Sequence, residues 1–159
     1  MNRGTLLVAI LLSTGCVCLG QKYALTDEEI DILRQSGITV IIHSNHTLTI
    51  EHHGYPNHTF EGGWGDNPNT PSAQNYSVLV PRNATVAAEK GCVYMGPIGL
   101  SVSGASFYNP YTGQGNNAVE GSCAETFDNC SGHPSPDGAY HYHKIRRAFT
   151  GETISGTNC

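Results

Sequence analysis

Residues 130–143 concentrate the side chains that can do chemistry. Cys130-Ser131-Gly132-His133-Pro134 leads through Ser135-Pro136-Asp137-Gly138 and Ala139 to the tetrad Tyr140-His141-Tyr142-His143. Neutral imidazole is the commonest protein ligand for zinc and copper. The tetrad has period two, so on a strand His141 and His143 project from one face and Tyr140 and Tyr142 from the other. His133 can return across the Ser135–Gly138 turn as a third donor, and three protein ligands with an open position is the catalytic-zinc pattern. Asp128 can act as a fourth ligand or as the partner that orients an imidazole. An architectural use fits the same spacing, because histidines on a half-exposed strand also bond backbone carbonyls. The spacing therefore leaves both open: a centre for zinc or copper, and a locked turn. His43, His46, His52 and His53 read as surface residues.

Several elements must position that stretch. Thr26-Asp27-Glu28-Glu29 carries a capping box, with Leu25 and Ile30 at staple positions and Gly37 as the stop. This predicts one short helix, laid on a sheet by Ile30 and Leu33. Ile38–Ile42 and Thr47–Glu51 predict a hairpin with Asn45 at its tip. Tyr76–Val80, Cys92–Met95, Ile98–Val102 and Ala105–Tyr108 read as further short strands. Residues 52–73 form a long loop rich in Gly and Pro, of the kind that is either functional or mobile. Trp64, set between glycines in it, reads as an anchor into the core. Asn109–Gly121 is a Gly- and Asn-rich connection that matches no phosphate loop. The fold class expected is mainly β, one domain of short strands, sandwich-like, with one short N-terminal helix and long loops. Residues 1–20 stand apart from it, 21–37 form the helical segment, and 38–159 the β domain.

Composition sets the compartment. Arg3 followed by the apolar run Leu6–Leu12, with Cys18 and Gly20 as small residues at the cleavage positions, reads as a signal peptide. That run is too short to span a bilayer, so a secreted, extracellular product beginning near Gln21 is expected. Five sequons, at Asn45, Asn57, Asn75, Asn83 and Asn129, predict a glycoprotein. Cleavage leaves Cys92, Cys123, Cys130 and Cys159, an even set that reads as two disulfides with three possible pairings. Cys123 to Cys130 would close a short loop, and Cys92 to Cys159 would tie down the chain end. Thirteen acidic against eight basic residues give a net charge of −5, which excludes a nucleic-acid partner and electrostatic membrane docking.

The segment Phe127-Asp128-Asn129-Cys130-Ser131-Gly132-His133-Pro134, followed by Gly138-Ala139-Tyr140-His141-Tyr142-His143, resembles the signature of the YHYH domain family. Upstream, His53-Gly54-Tyr55-Pro56-Asn57-His58 resembles that family's Asn-Gly-Ile-Pro-Asp-His segment. Gly65–Asn69, Gln74–Pro81 and Gly96–Pro110 follow its next pieces in order, so the resemblance covers about residues 50–143. It implies a secreted or exported protein, defined by its motif rather than by an activity. It also adds His58 to the candidate ligands, against the plainer reading of His58 as an exposed loop residue. After the tetrad, Lys144–Phe149 departs from the family's Pro-Cys continuation, so the chain is expected to end early relative to the family pattern.

Three functions follow. The first is a secreted glycoprotein module that binds a transition metal through His133, His141 and His143, with His58 or Asp128 assisting, and serves an extracellular matrix partner. The second is a metal-dependent secreted enzyme, a hydrolase or oxidoreductase, in which a tyrosine or histidine moves the proton. The third is a structural domain whose cluster only locks a turn. No Ser-His-Asp or Cys-His arrangement and no acid pair for glycoside hydrolysis is readable.

Overall fold

A computed structural model of the chain describes residues 22–144. The leader expected over residues 1–20, together with Cys16, Cys18 and Cys159, lies outside the described residues. The described chain is mainly β: short strands in three small sheets, with one helix.

The N-terminal unit forms as its sequence dictates. Helix α1 (Asp27–Gln35) starts at Thr26, whose hydroxyl accepts from Glu29 N while the Glu29 carboxylate accepts from Thr26 N. This reciprocal bonding satisfies two donors that a helix start otherwise leaves free. Gly37 follows with φ +84°, the left-handed turn that ends the helix. Ile30 and Leu33, each 1% exposed, face the hairpin of β1 (Thr39–Ile42) and β2 (Thr47–His52), which β3 (Tyr76–Pro81) extends. Burying each contributes roughly 1.5–3 kcal/mol. Val40, Leu48 and Ile50 alternate into this core, Leu100 enters it from the second sheet, and Val102, in the turn that follows, packs against it. A two-stranded ribbon, β4 (Lys22–Ala24) with β5 (Asn83–Thr85), was not legible in the sequence pattern.

The second sheet carries the histidine cluster. It comprises β6 (Pro97–Leu100), β7 (Ser106–Tyr108), β8 (Gly132–Pro134) and β9 (Tyr140–Tyr142), in the order β6-β7-β9-β8. The β9 strand is central, parallel to β7 through Ser106↔His141 and antiparallel to β8 through His133↔His141. Its phenol face closes a second core of Tyr140, Tyr142, Ala105 and Cys130, against which Phe60, Trp64 and Phe107 pack. Trp64 is thus the expected anchor.

The long loop is a strap across the β8–β9 hairpin. Asn67 and Asn69 both donate to Pro134 O, and Ser72 N donates to Gly138 O. It is neither strand nor idle connection.

Three expectations are corrected. Cys92–Met95 forms no strand; the segment pairs with none, and Tyr94 is 90% exposed. Cys92 and Cys123 are free, exposed thiols, so neither is bridged. Cys130 is instead turned into the core by the Asp128 turn, away from the surface position of Cys123. It is disulfide-bonded. His52 is half-buried rather than a surface residue, with its Nδ1 against Gly104 O, whereas His43, His46 and His53 are exposed.

Candidate metal centre

Two turns build the hairpin that presents the imidazoles. At the first, Asp128 Oδ1 accepts from Cys130 N and Gly132 N, and Asp128 Oδ2 accepts from the Tyr140 hydroxyl at 2.7 Å. Asp128 is buried and its oxygens are spent on this turn and on Tyr140. Gly132 is required there, because a Cβ would lie 2.3 Å from the Tyr140 hydroxyl. At the second, Gly138 N donates to Ser135 O and Ser135 N to Ala139 O. Gly138 has φ +83°, the left-handed residue that completes a three-residue hairpin loop.

With the hairpin closed, His133, His141 and His143 converge, their ligand atoms all within 4.8 Å of one another. His141 Nε2 lies 3.1 Å from His133 Nε2 and 3.1 Å from His143 Nε2. The His133 and His141 residues are each 4% exposed, and the His143 side chain 3%. Tyr108 stacks on the His141 ring at 3.9 Å between centroids, and Phe127 covers His133 at 4.8 Å.

The outward nitrogens fix the tautomers. His133 Nδ1 faces Thr126 O, His141 Nδ1 faces Ala139 O, and His143 Nδ1 faces Asn109 O. A carbonyl only accepts, so each Nδ1 carries the hydrogen and each neutral ring presents a bare Nε2 lone pair. The two Nε2···Nε2 contacts at 3.1 Å are therefore not hydrogen bonds between neutral rings. They are opposed lone pairs, which repel one another when both rings are neutral. Nδ1–H to carbonyl is also the support that metal-bound histidines use.

A proton is a poor occupant. Burial pushes the His141 imidazole down to about 3, with His133 and His143 nearby adding to the effect. Burial likewise holds His133 down to about 4, helped by His143. At neutral pH both rings are free bases. Across the strand, burial raises both phenols, Tyr142 to about 12, so neither ionises.

The other expected ligands lie elsewhere. Asp128 belongs to the turn and Tyr140. His58 is buried at 8% exposure, not a surface loop residue, and sits on the phenol face. Its Nδ1 donates to Thr59 O, so its Nε2 accepts from the Tyr142 hydroxyl at 2.6 Å. Sequence reasoning missed Glu125, whose Oε2 stands 3.2 Å from His143 Nε2 and 3.5 Å from His133 Nε2. That oxygen is buried and has no hydrogen-bond partner. Eight residues before His133, in a turn-rich connection, nothing local marks it. Tyr108 and Asn109 were likewise visible only as strand and connection residues.

A family model described as YHYH protein matches residues 77–158, more than half of the chain. No curated protein and no solved structure matches. No helix among the described residues is long and apolar enough to cross a membrane.

Proposed function

The chain belongs to the YHYH protein family, and from the geometry of its signature residues we propose that it is an exported module that binds one zinc or copper ion through His133, His141 and His143. The observation that carries this reading is the convergence of three buried Nε2 lone pairs, each committed to that role by a carbonyl on the opposite ring nitrogen. Such a donor set satisfies the borderline-soft preference of zinc and copper(II) for imidazole. The ion would supply charge to bind the lone pairs; the chain supplies the positions of the rings and the aromatic walls of Tyr108 and Phe127.

Export rests on the apolar leader and the sequons. The five sequon asparagines, Asn45, Asn57, Asn75, Asn83 and Asn129, are all exposed, as glycan attachment requires. A matrix partner is consistent with this placement, and the low content of Lys and Arg speaks against nucleic acid.

Metal analysis of the purified, untagged protein tests the reading. About one equivalent of zinc or copper is expected, lost when both His141 and His143 are replaced by Ala, with secretion retained. Less than about a tenth of an equivalent, with no uptake on titration, overturns it. Loss of secretion in the double variant points instead to an architectural cluster.

A further inference from the structure

The rim of the cluster holds one group that the three imidazoles do not explain. Glu125 Oε2 is buried and without a hydrogen-bond partner, 3.2 and 3.5 Å from two of the Nε2 atoms. A buried carboxylate oxygen left unpaired beside the bare Nε2 lone pair of His133 is unfavourable twice over, through desolvation and through repulsion. The chain nevertheless holds it in place. Glu125 N donates to Ala118 O, and the next residue, Thr126, bonds the Trp64 carbonyl through its hydroxyl and His133 through its own.

We propose that Glu125 is the fourth ligand, so that the centre is a closed three-histidine, one-carboxylate site for a divalent ion, with no position left for water or substrate. This rests on the metal reading above and decides what kind of centre it is.

The spacing supports it. The contacts around the four atoms, from His133 to His141 to His143 to Glu125 and back, are 3.1, 3.1, 3.2 and 3.5 Å. Neighbouring ligands about 2.0–2.1 Å from one ion stand roughly 2.9 Å apart in a square and 3.4 Å in a tetrahedron, a range that holds three of these four contacts. Charge supports it too. Three neutral imidazoles leave a divalent ion with its full charge in a buried site, and one carboxylate halves it. Access points the same way: the Glu125 side chain is 31% exposed, against 6% and 3% for those of His133 and His143. The exposed part of the site is thus the Glu125 side chain, while its buried Oε2 faces the imidazoles.

A closed site holds its ion rather than activating water on it. The functional consequence is a storage, carrier or structural centre, which disfavours the metallohydrolase alternative.

The test is cobalt(II) substitution of chelator-stripped protein, read by visible absorption, with azide as the probe of an open position. The intact chain should take up cobalt(II) and give bands that excess azide leaves unchanged. Glu125→Ala should bind cobalt(II) at least about tenfold more weakly and acquire azide-sensitive bands. Azide-dependent bands in the unsubstituted protein overturn the closure without needing any variant. Unchanged cobalt affinity in Glu125→Ala overturns it as well. Absence of any cobalt uptake by the unsubstituted protein is a different failure: it removes the metal reading itself, and the fourth ligand with it.

Discussion

His133 and His141 face each other across the β8–β9 pair with their Nε2 atoms 3.1 Å apart, while their Nδ1 atoms bond Thr126 O and Ala139 O on opposite sides. Metal-free, this pair makes the fold acid-sensitive. Both rings bind protons near 6.5 when unfolded, but only near 4 and 3 when folded, because burial penalises the charged form. Between those values the unfolded chain holds more protons, so stability rises with pH there. Acidification from pH 6.5 toward 4 should therefore lower the melting temperature of chelator-treated protein progressively. A melting temperature flat across that range would contradict the buried, neutral pair.

Metal should reverse the deficit. An ion bound only by the folded chain stabilises it by about 2.7 kcal/mol at a hundredfold excess over Kd. Adding zinc to stripped protein at pH 7 should raise the melting temperature, and the His141→Ala, His143→Ala double variant should not respond. Thermal scans with and without zinc check this directly.

Tyr142 and His58 form a pair on the opposite face, and removing the phenol oxygen isolates His58 Nε2 in the core. Tyr142→Phe should cost about 1–3 kcal/mol in urea unfolding. Metal stoichiometry should stay unchanged, since neither residue reaches the imidazole cluster. Loss of metal on Tyr142→Phe would mean that the two faces are not independent.

Asp128 makes the same kind of distinction. Asp128→Asn retains an amide oxygen for Cys130 N and Gly132 N but changes the acceptor facing the Tyr140 hydroxyl. A loss of about 1–3 kcal/mol is expected, again without loss of metal. Equilibrium unfolding with parallel metal analysis separates this turn role from ligation.

Cys92 and Cys123 are exposed and free. Both should react with a thiol reagent in the native protein, and Cys92→Ser and Cys123→Ser should each change stability by no more than about 0.5 kcal/mol. Protection of either thiol from labelling would show it to be bridged.

The parts of this molecule legible in its sequence are those whose cause is local. The capping box of Thr26 and Glu29 fixes α1 within four residues, and alternation in Thr47–Glu51 fixes which side chains enter the core. The two faces of the tetrad follow from period two alone. Glu125 was invisible because its place depends on a long connection folding back to the rim, which no spacing encodes. His58 was visible only through resemblance, which marked its position but not its partner, the Tyr142 hydroxyl. Cysteine parity misled for a related reason: an even count says nothing of where the chain turns each thiol.

Alternation in the tetrad also carries a hazard. A strand that slips by one residue exchanges its faces, and across the Tyr140–His143 tetrad that would carry both phenols to the rim and both imidazoles into the apolar core. Two glycines guard against this mistake. Gly132 admits the Tyr140 ring at a distance no other residue allows, and Gly138, where a Cβ would strike the Ser72 hydroxyl, sets the loop length. Misregistered hairpins would therefore be non-binding as well as unstable, so possession of the ion would certify that the chain had folded correctly.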